Sequence, residues 1–201
     1  MPKPFSEQEK ERIRAQMREK GKKLFEKQGI KKTSVDELAQ AAGISKGAFY
    51  LFYESKEELF MEILEGLEGD FRRRIFDASI HPEQDAGQHL SKLVQDALLT
   101  WEEYPLLQHF GRTEYEYLAR KLPPKRIQAH ANRDNEFVDE FIKRLKREGI
   151  ALRTSPRVIS NLMKSLFFVS LHREDLGKEA YEESMKILAN LIARYITEGP
   201  G

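Results

Sequence analysis

Five consecutive residues, Gly43-Ile44-Ser45-Lys46-Gly47, satisfy two chemical patterns at once. One is the G-x-S-x-G elbow of serine hydrolases, in which a strand delivers the serine as a nucleophile to a sharp turn. The other is the turn and opening residues of a DNA-reading helix. There the serine caps the helix and the lysine offers charge or a hydrogen bond to a guanine edge. Small residues such as Gly47 and Ala48 let that helix approach a groove. The preceding run, Val35 to Ala42, is alanine-rich and helical in pattern, so no strand leads into the serine. The turn and the cap use the glycine and the serine, and the reading is therefore not an enzyme. The flanking groups suit the second pattern. Tyr50 carries a hydroxyl for a phosphate, Thr33 and Ser34 offer hydroxyls and free amides at a helix N-terminus, and Lys56 is within reach of the backbone.

Two short helices and a third, longer one must hold these groups. A first helix is expected over about Ser6–Gln28, with Ile13, Met17, Leu24 and Phe25 inward and Gly29 as its stop. Gly21 inside it should cost ~1 kcal/mol relative to alanine. Ser34 and Glu37 form a capping box for the second helix, whose Leu38, Ala39 and Ala42 face the core. Gly43 turns the chain, Ile44 anchors it, and the third helix runs from Lys46 to about Phe52. Ser55 and Glu58 cap a fourth helix with the stripe Leu59, Phe60, Ile63, Leu64, Leu67 and Phe71.

Beyond a loop over Ser79–Gln88 the pattern stays helical. Helices are expected over Gln88–Tyr104, Pro105–Lys121, then, after a break at Pro123-Pro124, over Lys125–Glu148, Pro156–Leu171 and Lys178–Thr197. The fold class is all-α, with a helix-turn-helix domain over 1–54 and a helical body over 55–201. Charge divides the same way. Residues 1–53 carry 12 Lys and Arg against 7 Asp and Glu, a formal +5 in a chain of net +1, leaving an acidic body. A basic head on an acidic body suits a chain that meets phosphates at one end. No apolar run reaches the ~20 residues of a membrane span. With no cysteine and no apolar leader, a cytoplasmic location is expected.

The run T-S-V-x-x-L-A-x-x-A-G-I-S-K-G-A-F-Y-x-x-F/Y-x-S-K-E-E-L, with Leu24–Gly29 before it, closely resembles the tetracycline-repressor (TetR) family of bacterial transcriptional regulators. The matching residues include Thr33, Ser34, Val35, Leu38, Ala39, Ala42, Gly43, Ile44, Ser45, Lys46, Gly47, Phe49, Tyr50, Tyr53, Ser55, Lys56 and Leu59. Ser34, Gly21 and Tyr53 depart from the usual threonine, alanine and phenylalanine. The resemblance implies an all-helical protein of roughly nine helices that dimerises through its last two helices. It also implies a palindromic DNA operator, a small-molecule effector held in the body, and repression as the outcome. Regulation without a small molecule, or a helical small-molecule binder with a vestigial head, are the alternatives.

The body carries weaker signals. Trp101, Tyr104, His109, Phe110 and Tyr115 form a dense aromatic stretch suited to lining a ligand cavity, although plain core packing serves as well. The helix over Pro156–Leu171 is apolar on two sides, and a stripe at Tyr181, Met185, Leu188, Ile192 and Tyr195 accompanies it. Such a helix needs a second partner surface, so Leu162, Leu166, Met185, Leu188 and Ile192 are the expected dimer residues. The five histidines, His81, His89, His109, His130 and His172, fall at no metal-ligand spacing, and no metal or cofactor is expected.

Overall fold

The computed structural model describes residues 5–78 and 85–199, and all side chains there except those of residues 134, 174, 178 and 179. His81 and most of the expected loop lie outside the described residues. Eleven helices are present among the described residues: α1 (Glu7–Lys32), α2 (Val35–Ala41), α3 (Lys46–Phe49), α4 (Lys56–Asp77), α5 (Ala86–Trp101), α6 (Pro105–Gln108), α7 (Arg112–Lys121), α8 (Pro124–Arg147), α9 (Pro156–Ser170), α10 (Arg173–Leu176) and α11 (Lys178–Glu198). No helix among the described residues is long and apolar enough to cross a membrane.

The extra helices have local causes. The stretch expected as one helix from Pro105 is divided at Gly111, whose amide donates to Glu114 Oε2 (3.4 Å) and opens α7 afresh. The turn α10 ends on Gly177, which has a φ of 74°. In α1, Gly29 is the one non-helical residue, as expected of a stop, and Ile30 to Lys32 add a final turn beyond it. The third helix is shorter than expected. After Phe49 the amides of Leu51 and Phe52 turn back to Ala48 and Phe49.

The chain packs as two units. The first comprises Met1–Gly69 and Pro105–Ile127, and the second Asp70–Tyr104 and Gln128–Gly201. In the first, Ile13, Met17, Phe25, Ile30, Leu38, Phe49, Leu59, Met61 and Leu64 form the buried core. α1 crosses α4 closely at Gly21, where a Cβ would stand 3.2 Å from Ile63 Cδ1 and 3.3 Å from Leu59 Cδ2. That close approach is the reason for a residue whose helical cost the sequence alone leaves unexplained. In the second unit α5 lies against α11, with α8 and α9 completing a core of Leu90, Leu93, Val94, Leu145, Ile159, Leu166, Met185, Ala189 and Ile196.

Candidate nucleic-acid interface

The head is built on its caps. Ser34 Oγ accepts from Glu37 N (3.2 Å), while Ser34 N and Oγ both donate to Glu37 Oε2 (2.8 and 2.7 Å), which completes the expected capping box. Gln28 Nε2 adds a bond to Glu37 Oε1 (3.1 Å). These donors, the Ser34 amide first, hold the Glu37 carboxyl down at about 2, from an ordinary 4.5. A carboxylate with a depressed folded pKa contributes stability that is complete above its unfolded value and disappears as pH falls through the folded one. Acid unfolding should therefore have a component between pH 4.5 and about 2 that Glu37→Gln removes, followed by circular dichroism. An unchanged acid transition in that variant would rule the carboxylate out.

Gly43, with a φ of 70°, turns the chain between α2 and α3. Its amide donates to Gln40 O (3.0 Å) and that of Ile44 to Ala39 O (3.0 Å). Ile44 is only half-buried. The anchor of the reading turn is Phe49, which has no exposed surface and packs its ring on Tyr50 (5.5 Å) and Tyr53 (5.9 Å). Composition could have flagged it, since it is the one large apolar residue among Ser45, Lys46, Gly47, Ala48 and Phe49.

With Phe49 turned in, the opposite side of the turn faces out. Ser45, Lys46, Gly47 and Tyr50 are exposed and Ala48 half-buried. Ser45 Oγ accepts from Ala48 N (3.1 Å), so the elbow serine is a cap, and a helix rather than a strand precedes it. Lys46 Nζ pairs with Asp36 Oδ2 at 2.7 Å, both side chains being mostly in solvent. A Cβ at Gly47 would meet nothing closer than Ser45 Oγ at 4.0 Å, so no contact within the chain calls for glycine there. Leu51, 72% exposed beside Tyr50, is an apolar member of this surface that the sequence reading passed over.

Two expected phosphate groups point elsewhere. Thr33 is buried, and its hydroxyl donates to Gly29 O (2.8 Å). Lys56 Nζ donates to Ile30 O (2.7 Å), Thr33 O (2.6 Å) and Lys31 O (3.3 Å). Nearby in the same unit, Arg126 grips Glu65 through both terminal nitrogens (2.5 and 2.8 Å) and Glu58 through Nε (3.1 Å). Tyr117 donates to Glu57 (2.5 Å), and burial, then that carboxylate, pushes the phenol up to about 12. These contacts brace α4 from α7 and α8.

The five aromatic-stretch residues divide between the units. Trp101 and Tyr104 belong to the second, where the Trp101 ring packs on Phe71 (5.2 Å) and Phe167 (5.0 Å) and the Tyr104 hydroxyl donates to Asp70 (2.5 Å). His109, Phe110 and Tyr115 belong to the first. His109 and Tyr115 are exposed, and Phe110 packs on Phe60 at 6.1 Å. Of the expected dimer residues, Leu166 and Met185 are buried in the core of the second unit. Leu188 is exposed, and Leu162 and Ile192 line an open apolar groove of about 360 Å³ with Leu191 and Tyr195. Ile187, Leu191 and Phe168 are 52%, 60% and 66% exposed. The outward face of α9 and α11 thus runs through these residues. His89 and His130 are buried, His172 is exposed, and no cluster of metal-ligating side chains occurs among the described residues.

Comparison with known proteins places this head in a family. Residues 18–63 match the model of bacterial regulatory proteins of the tetR family. The HTH-type transcriptional regulator AcrR of Shigella flexneri is 38% identical over 60 residues, 30% of this chain and 28% of that protein. The match therefore spans under a third of that relative's length. The TetR-family regulator PfmR of Thermus thermophilus is 26% identical, covering 89% of this chain and 97% of its own, with a TM-score of 0.57. The regulator FadR of Bacillus subtilis, solved in complex with stearoyl-CoA, is 15% identical, covering 93% and 99%, with a TM-score of 0.60. Residues 18–63 thus carry a tetR-family helix-turn-helix, and nearly the whole chain shares its all-helical fold with solved TetR-family regulators.

Proposed function

We propose that the protein is a homodimeric, ligand-responsive repressor that binds a palindromic operator through Ser45, Lys46, Gly47, Ala48 and Tyr50, with Ser34 at the flanking helix start. The observation that carries this reading is the outward side of the α3 turn. A cation, a phenol and a glycine that no contact within the chain calls for lie exposed over a buried phenylalanine. Glycine inside a helical turn costs ~1 kcal/mol, and close approach by a nucleic-acid groove explains its presence. The Asp36 partner of Lys46 is exposed and screened by salt, so it yields the lysine to DNA at little cost. Two heads spaced ~34–36 Å apart, one turn of DNA, fit the two-fold symmetry of an operator.

Selection of duplexes from a random pool with the full-length protein should enrich a palindrome. On that duplex Lys46→Ala should weaken binding by about 5- to 150-fold, the worth of one base-edge contact. Unchanged affinity in a gel-shift titration would remove Lys46 from the interface. For the effector, the acyl-CoA complex of FadR and the apolar rings of the second unit support a largely apolar small molecule. The direct packing of Phe71, Trp101 and Phe167 on one another supports the second reading, a regulator with no small-molecule effector. Whether any small ligand raises the melting temperature separates the two.

A further inference from the structure

We infer that Lys56 is a positioning residue, which fixes the reading head from inside rather than gripping a phosphate. This rests on the DNA-binding reading above. An ammonium has three donors and no acceptor. Here the three find backbone carbonyls at 2.6, 2.7 and 3.3 Å, those of Thr33, Ile30 and Lys31. The C-terminal end of a helix leaves such carbonyls without intrahelical partners, and its dipole favours a cation there. Lys56 is itself the first residue of α4, where the dipole disfavours a cation. Local helix electrostatics therefore do not account for this lysine, whereas the end of α1 does.

The contact ties together segments 23 to 26 residues apart. Thr33 adds to it, with both its amide (3.3 Å) and its hydroxyl (2.8 Å) donating to Gly29 O. Gln28 completes the joint through Thr33 Oγ1 (3.4 Å) and Glu37 (3.1 Å). α2 begins two residues after Thr33 and α3 follows through the Gly43 turn. Lys56 thus sets the angle at which α2 leaves α1, and with it the presentation of Lys46 and Tyr50. A phosphate would have to draw the ammonium away from all three carbonyls at once.

The two roles give different salt dependences. A phosphate contact contributes about −0.9 to the slope of log affinity against log salt, and a structural contact contributes nothing. Full-length Lys56→Met and Lys56→Arg are compared with the wild type by fluorescence anisotropy on the duplex selected by the wild type, across a salt series, alongside thermal melting. The positioning role predicts lower melting temperatures for both variants. It predicts affinity losses on the order of tenfold, as for loss of a charged hydrogen bond, with slopes equal to the wild type. Arginine keeps the charge, but its planar fork does not fit three converging carbonyls. Lys56→Arg therefore fails to rescue here, whereas at a phosphate it would rescue. A slope shallower by about one in Lys56→Met, with Lys56→Arg binding and melting like the wild type, overturns the assignment. If Lys56→Met does not fold, Lys56→Arg alone decides. A wild type that enriches no duplex sinks the DNA-binding reading itself, a result distinct from either variant's behaviour.

Discussion

In the proposed homodimer, Leu191→Asp is expected to shift the protein to monomer and to lower operator affinity by about two to four orders of magnitude, the gain that linking two binding heads provides. Leu191 is 60% exposed in the isolated chain and borders the apolar groove shared with Leu162, Ile192 and Tyr195. Ile187, Leu188 and Phe168 extend the apolar face. In a two-fold interface one substitution is felt twice, and each copy places a carboxylate against apolar surface. The same substitution at Met185 or Leu166 would strike the subunit's own core and unfold it. Leu191→Asp should instead keep the helical circular dichroism signal, while sedimentation reports half the mass. A dimeric mass at micromolar concentration would show that the partner surface lies elsewhere.

The choice of Leu191 over Met185 marks the boundary of what periodicity can tell. A helix apolar on two sides announces two partners, and α9 and α11 are such helices. It does not say which side meets the subunit's own α5, because both sides carry leucine, isoleucine and methionine. The small residues hold that information in part. Ala189 and Ala193 are completely buried, and they belong to the subunit's own core. Caps and turns were far more legible, since a capping box and a left-handed glycine depend only on residues three or four apart. Ser34 with Glu37, Gly43, and Ser155 before Pro156 all stand where their types demand. Gly111 was missed because a glycine with φ in the ordinary range, serving through its amide alone, resembles any other loop residue. Lys56 was read by its charge. Its direction depends on carbonyls more than twenty residues earlier, and no local pattern encodes them.

The second large effect is expected at a residue that touches no DNA. Phe49→Ala should destabilise the protein by about 3–5 kcal/mol, the range for emptying a buried aromatic site, and abolish operator binding. α3 has only four helical residues, too few to persist by backbone hydrogen bonding alone. What holds it is the Phe49 ring, completely buried, in contact with the rings of Tyr50 and Tyr53. The amides of Phe52 and Tyr53 also return to Phe49 O, so the turn after the helix hangs on the same residue. Without the ring, Lys46 and Tyr50 would still be exposed but no longer in a defined register, and binding needs the register as much as the groups. Phe49→Leu, which keeps most of the apolar volume, should recover most of the stability and a larger share of binding than alanine. Urea denaturation and anisotropy on the selected duplex measure the two quantities. If Phe49→Ala lost stability yet bound the operator as tightly as the wild type, the presentation of Lys46 would not depend on this anchor. The four-residue helix would then have to be held by the DNA itself.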